Sequence, residues 1–220
     1  MGALAIETDI LCPNDYITLG LKDLSKDSIG KPPRVLLLLS TFLERFVQRN
    51  EMGLETSQEK DVITVFHGLR APSLSVQQYI DRIFKYSCCS PSCFVVAHIY
   101  MDRYVQRTNI YLTSLNIHRL LITSVMVAAK FMDDAFFNNA YYARVGGVST
   151  AELNKLETKF LFGLDFRLHV STQTFRKYCS MLKKESNANG GLIERSIQAC
   201  GIEESWANKD DSTCAQTIAR

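Results

Sequence analysis

The sequence contains no apolar run long enough to cross a bilayer. Its greasiest early stretch, Val35 to Leu39, falls far short of the about 20 apolar residues that a membrane helix needs, so no membrane association is expected. The opening MGALAIETDILCPND lacks a positive start followed by a long apolar core, and no secretory leader is read there. Ile6 stands where a myristoylation motif wants Ser or Thr, and the final AQTIAR has no prenylation box. An excess of one charge is missing too. The 25 Lys and Arg against 23 Asp and Glu leave a formal net charge of +2. They are scattered, without the basic cluster of a nucleic-acid footprint, so no nucleic-acid partner is expected. The 7 cysteines are an odd set with no repeating framework, and no Asn-x-Ser/Thr site occurs. Both features fit a reducing compartment, the nucleus and/or the cytoplasm.

Signatures of catalysis are equally scarce. The chain has no G-x-x-x-x-G-K-[ST] phosphate loop, no G-x-S-x-G elbow and no H-E-x-x-H pair. Its RVGGVS segment reads as a turn ahead of a helix rather than a phosphate nest. Zinc usually takes paired C-x-x-C spacings, which Cys88, Cys89 and Cys93 do not supply, so they read as small buried hydrophobes. His67, His98, His118 and His169 are dispersed, and His98 reads as a hydrogen-bonded core residue. Asp133 and Asp134, being sequence neighbours, do not face each other and read as a solvated helix end. No catalytic residue, cofactor or metal is expected.

What the chain does have is helical periodicity. Residues 1–33 read as a flexible N-terminal segment. PRVLLLLSTFLERFVQRNE spaces Val35, Leu36, Leu39, Phe42, Leu43, Phe46 and Val47 as one helical face, and 34–64 is therefore a helix with a polar connector, MGLETSQEKD. Five further helices are predicted between Ser73 and Glu185. The first runs through VQQYIDRIFKYS behind a cap at Ser73 or Ser75. The second starts at Ser90-Pro91, Ser as cap and Pro at the first helical position. SLNIHRLLITSVMVAAKFMDD is apolar nearly all round and predicts a central helix packed on several sides. STAELNKLETKFLFG opens with a capping box, Ser149 with Glu152, and ends at Gly163. STQTFRKYCSMLKKE is the last, after LDFRLHV, an extended or strand-like connector with no strand nearby to pair with. Residues 186–220 form a polar tail in which only LIERSIQAC could be helical. The fold class is all-α.

Two charges sit in apolar company. Lys130 follows Val127, Ala128 and Ala129 and precedes Phe131, and Glu157 lies within or at the edge of the stripe of Leu153, Leu156, Phe160 and Leu161. A carboxylate there loses several kcal/mol of hydration unless it is paired or left open to water. Three arrangements satisfy this: the two charges pair with each other, both snorkel to the rim, or they anchor a partner's helix beside an apolar groove.

The stretches YIDRIFKYSCCSPSCFVVAHIYMDRYV, HRLLITSVMVAAKFMDD and ELNKLETKFLFGLDFRLHV, in this order, resemble a cyclin box. FFNNAYYARVGGVSTAELNKLE is similar in particular to the P- or U-type cyclins of plants, themselves similar to the phosphate-signalling cyclins of yeast. The resemblance implies a five-helix cyclin box over residues 65–185. It implies no catalysis of its own but a regulatory subunit that binds and activates a cyclin-dependent kinase, in cell-division control or nutrient (phosphate) signalling. By position it makes Lys130, Glu157 and Phe131 kinase-binding residues, and Arg82 and Asp102 internal supports of the box. Where mitotic cyclins carry an MRAIL-like substrate patch this chain has YIDRI, which puts substrate docking there in doubt. The Leu-x-Cys-x-Glu element of D-type cyclins is absent. Too few residues follow Glu185 for a second cyclin fold, so a single box, monomeric apart from the kinase, is expected. A non-activating adaptor or inhibitor would use the same groove.

Overall fold

The computed structural model describes residues 13–21, 32–57 and 61–187. Among them the chain forms helices α1 (Pro13–Thr18), α2 (Arg34–Ser57), α3 (Val76–Ser87), α4 (Pro91–Thr108), α5 (Ile117–Met132), α6 (Asn139–Gly146), α7 (Thr150–Gly163) and α8 (Thr172–Asn187), and no strand. The all-α class is as the periodicity required.

α5 is the hub. All its residues from Leu120 to Ala129 are buried, because α3, α4, α6 and α7 pack around it. Its two buried hydroxyls remain satisfied within the helix, Thr123 donating to the Arg119 carbonyl at 2.7 Å and Ser124 to that of Leu121 at 3.0 Å. A helix apolar all round needs such cover, and small residues let the neighbours approach. α2 lies on α3, α4 and α8, burying Val35, Leu36, Leu39, Leu43 and Val47. A ring cluster of Phe66, Tyr104 and Phe160, with centroids 5.0–6.1 Å apart, ties the segment before α3 to α4 and α7.

Several local expectations are corrected. α2 continues through MGLETS to Ser57, so the connector is shorter than its polarity suggested. The predicted lead-in carries structure: α1 is followed by Leu19, which is buried and accepts from the Val35 amide at 3.0 Å. α6 was not among the predicted helices; its short Asn-rich start hid it, although Asn138 caps it by accepting from the Tyr141 amide. Ser75, not Ser73, caps α3 in a full capping box with Gln78. At α7 only half of the expected box forms, since Ser149 accepts from the Glu152 amide while the Glu152 carboxylate pairs with Arg119 at 2.6 Å. Ser90 stands before α4 without a capping bond, its hydroxyl lying against the Cys93 sulfur instead. LDFRLHV opens as a left-handed turn rather than an extended piece: Asp165 and Phe166 both have φ of 56°, and the Phe166 amide reaches back to the Leu161 carbonyl. The RVGG turn is as expected, with Gly147 at φ 71° closing α6. The tail from 188 to 220, with its possible LIERSIQAC helix, and the beginning of the lead-in lie outside the described residues.

Candidate functional site

The last turn of α5 delivers Lys130 to the rim of the core, and α6 and α7 come to meet it. The Lys130 ammonium donates to Glu157 Oε1 at 2.6 Å and to Asn139 Oδ1. The Asn139 amide spends one N–H on Glu157 Oε2 at 2.6 Å and the other on Asn154 Oδ1 at 2.7 Å. Asn154 and Glu157 stand three apart on α7 and so share a face. The arrangement leaves the carboxylate bridged on both oxygens and the ammonium with a third N–H to spare. The side chains are 26% and 18% exposed for Lys130 and Glu157, neither sealed in the core nor free in water. The paired arrangement is thus the one that occurs, at an open rim.

The stretch of chain that follows Lys130 carries exposed apolar side chains. Phe131 is 51% and Phe136 52% exposed, and Met132 and Phe137 are exposed beside them. Phe137 stacks on Tyr141 with ring centroids 3.9 Å apart, and Tyr141 donates to the Tyr86 carbonyl at 2.7 Å, which holds the loop before α6 against the end of α3. Solitary exposed aromatics are ordinary on a protein surface; here Phe131, Met132, Phe136 and Phe137 are all exposed within the short stretch of chain from the end of α5 to the start of α6. Lys130 and Glu157 therefore meet directly, and Phe131, exposed, is the next residue after Lys130 on α5. Asn139 and Asn154 complete the network and were missed from the sequence. The signal that could have found Asn154 is its three-residue spacing to Glu157; Asn139 comes from another helix and has no such local signal.

The predicted supports lie elsewhere and act separately. Arg82 donates to the Arg144 carbonyl at 3.3 Å, joining α3 to α6. Asp102 accepts from Tyr178 on α8 and from Gln106 at 3.0 Å. Arg119, unmentioned by sequence reasoning, makes a larger set of ties: to the His67 carbonyl at 2.7 Å and to Glu152 on α7. The exposed side of α3 carries a cleft lined by Gln78, Asp81, Arg82, Lys85 and Tyr86. His98 is a core residue, but it sits between Phe42 and Tyr178 with its Nδ1 unpaired, not hydrogen-bonded there as expected. Burial pushes its pKa down to about 4, partly offset by Asp102. Asp133 is no solvated helix end, since it accepts from the Ser90 amide at 3.0 Å. Among the described residues no cluster of His, Cys, Asp and Glu is placed to hold a metal, and no helix is long and apolar enough to cross a membrane.

A bundle wrapped on one buried central helix, with a lysine and a glutamate paired at its rim, is the architecture of a cyclin box. Residues 33–168 match the family model described as Cyclin, and the chain belongs to the cyclin family. It is 55% identical to Cyclin-P3-1 of Oryza sativa subsp. japonica over 199 residues, 90% of this chain and 84% of that one. With Cyclin-U3-1 of Arabidopsis thaliana it shares 49% identity over 223 residues, 100% of both chains. Cyclin-U4-1 of Arabidopsis thaliana is 52% identical over 153 residues, 69% of this chain and 76% of that one. Cyclins are regulatory subunits rather than enzymes, and the family implies a cyclin-dependent kinase as partner. The matched span takes in α2 and stops before α8, whereas the box read from the sequence ran over 65–185.

Proposed function

We propose that this chain binds a cyclin-dependent protein kinase through the surface of Lys130, Glu157, Phe131, Met132, Phe136 and Phe137, and activates it. The reading rests on one observation: two polar anchors, locked by Asn139, stand at the edge of an exposed aromatic face. A kinase helix laid on that face would cover the rings, while the third N–H of Lys130 meets a backbone carbonyl. Pre-pairing with Glu157 and Asn139 fixes the ammonium before the partner arrives, which lowers the ordering cost of binding. Pressure on the kinase's mobile helix and activation segment would then assemble an active site whose catalytic groups all belong to the kinase. The role extends to cell-division or phosphate-signalling control, in the nucleus or cytoplasm, as a monomer apart from the kinase and without membrane; the scattered, nearly balanced charge supports the reading that no nucleic acid is bound.

The test is a pull-down from native plant extract with the purified full chain, followed by a histone-type kinase assay on what is retained. A retained kinase whose activity rises with added protein is the expected result. Retention without activation would replace the activator with an adaptor or inhibitor, and no kinase at all would remove the docking assignment.

A further inference from the structure

Each polar group of the Lys130–Asn139–Glu157 network is fixed in sense by its neighbours, and the consequence reaches Asn154. The Lys130 ammonium can only donate, so Asn139 must turn its Oδ1 towards it. The Asn139 Nδ2 then meets the Glu157 carboxylate, which only accepts, at 2.6 Å, and gives its second N–H to Asn154 at 2.7 Å. Asn154 has to receive that bond on its own Oδ1. Neither amide can be flipped. Reversing Asn154 sets N–H against N–H, and reversing Asn139 does the same at Lys130 and sets oxygen against oxygen at Glu157.

This order leaves the Asn154 Nδ2 pointing away from the network, on an exposed residue, with both N–H groups unpartnered within the chain. An exposed asparagine amide is ordinarily free to turn and is satisfied by water. This one stands on α7 and is held at its oxygen by Asn139, which is itself bonded to both members of the ion pair. The third N–H of Lys130 is uncommitted as well. The network's edge thus offers one N–H from Lys130 and two from Asn154, while both carboxylate oxygens and both amide oxygens already accept.

We propose, building on the docking function above, that Asn154 is a partner-contacting residue. With Lys130 it recognises kinase backbone carbonyls that the kinase's own secondary structure leaves unpaired. Carbonyls inside a helix are already occupied, and a helix N-terminus presents orphan N–H groups, which would face N–H groups here. What fits is backbone where the kinase chain leaves its helical hydrogen bonding. Its oxygens accept, and an amide beside an ammonium spreads the donors over more than one of them. A partner with Lys or Arg at this place meets only donors, so the edge selects against it. Amide and ammonium are set before contact, which leaves little side-chain ordering to oppose binding.

Calorimetric titration of the full chain and its variants with the kinase retained from plant extract tests this, with the melting temperature recorded beside it. Asn154→Asp keeps an inward oxygen for Asn139, so the network and the melting temperature should hold, but it puts an oxygen where the N–H groups were. Affinity should fall by about tenfold to a hundredfold, since the facing carbonyls are left unsatisfied. Asn154→Ala removes the donors without adding charge and should weaken binding by about tenfold. Were Asn154 only a support for Asn139, Asn154→Asp would bind like the native chain while Asn154→Ala bound worse, and that pattern would overturn the proposal. Native affinity in both variants would do the same. Loss in Asn154→Asp alone would show charge repulsion without a lost contact, and would also overturn it. Lys130→Met is the reference. If it binds weakly while both Asn154 variants bind normally, only the Asn154 contact falls. If it binds normally, or if no kinase is retained at all, the docking function falls and Asn154 with it.

Discussion

Replacing Lys130 separates two roles that one ion pair can play. Lys130→Met removes the cation and leaves Glu157 Oε1 without its donor, while Asn139 still holds Oε2. The pair lies between the exposed case, worth 0–1 kcal/mol, and the sealed case, whose rupture costs 3–5 kcal/mol. At 26% and 18% exposure, a loss of about 1–3 kcal/mol in folding stability is expected. The domain should remain folded, since marginal stability is commonly 5–15 kcal/mol. Kinase affinity should fall by more than the folding defect explains. Truncating a desolvated charged anchor costs about 2–5 kcal/mol in binding, and about 3 kcal/mol is roughly a hundredfold. The decisive variant is the exchange Lys130→Glu with Glu157→Lys. It restores an attractive pair and with it part of the stability, yet it points an ammonium from α7 instead of α5. Urea denaturation gives the folding term and calorimetric titration with the retained kinase gives the binding term. Recovery of both together in the double variant would falsify the anchor assignment and leave Lys130 as a purely structural partner of Glu157.

Phe131→Ser should leave stability within about 0.5 kcal/mol, because the ring is exposed, while weakening kinase capture in the same titration. Acid stability should report His98. With an ordinary pKa of 6.5 lowered to about 4 in the fold, it is held neutral, so its contribution is complete above 6.5 and is lost as pH falls towards 4. At about pH 5 the loss is about 2 kcal/mol, or about 4–8 °C in melting temperature, and His98→Leu should flatten that part of the profile. Gly163→Ala should destabilise by about 1–3 kcal/mol or more, since an added Cβ would lie 2.2 Å from Tyr104 Cε2 in the packed ring cluster; normal melting would show that Tyr104 yields easily. Ser75→Ala, which deletes the capping box of α3, should cost about 1 kcal/mol by chemical denaturation.

Much of the fold was legible because α5 and its neighbours write their burial into their residues. A helix such as LLITSVMVAA has no polar face to show to water, so its place at the centre follows without coordinates. The misses share a cause. α6 is 8 residues long and depends on a cap at Asn138 and on packing against α3, α5 and α7, so its periodicity was too brief to read. Glu152 had a better partner in Arg119 than the backbone amide a capping box offers, and nothing local announces an arginine 33 positions away. Asp165 and Phe166 take left-handed backbone that disfavours side chains, in a turn closed by amides reaching back to the Phe162 and Leu161 carbonyls of α7.

By itself the sequence determined the all-helical class, the buried central helix, the want of catalytic motifs and the two suspect charges, because composition and periodicity carry the cost of putting each residue in water or out of it. Tertiary structure alone decided what those charges do. Lys130, Asn139, Asn154 and Glu157 are brought together from α5, α6 and α7, and the hydrogen-bond capacity of one asparagine joins them. It decided likewise that Cys93 meets Asp133 across 40 residues of chain. Contacts of that range follow from how helices cross, and helix crossing is set by the whole core rather than by any local run of residues.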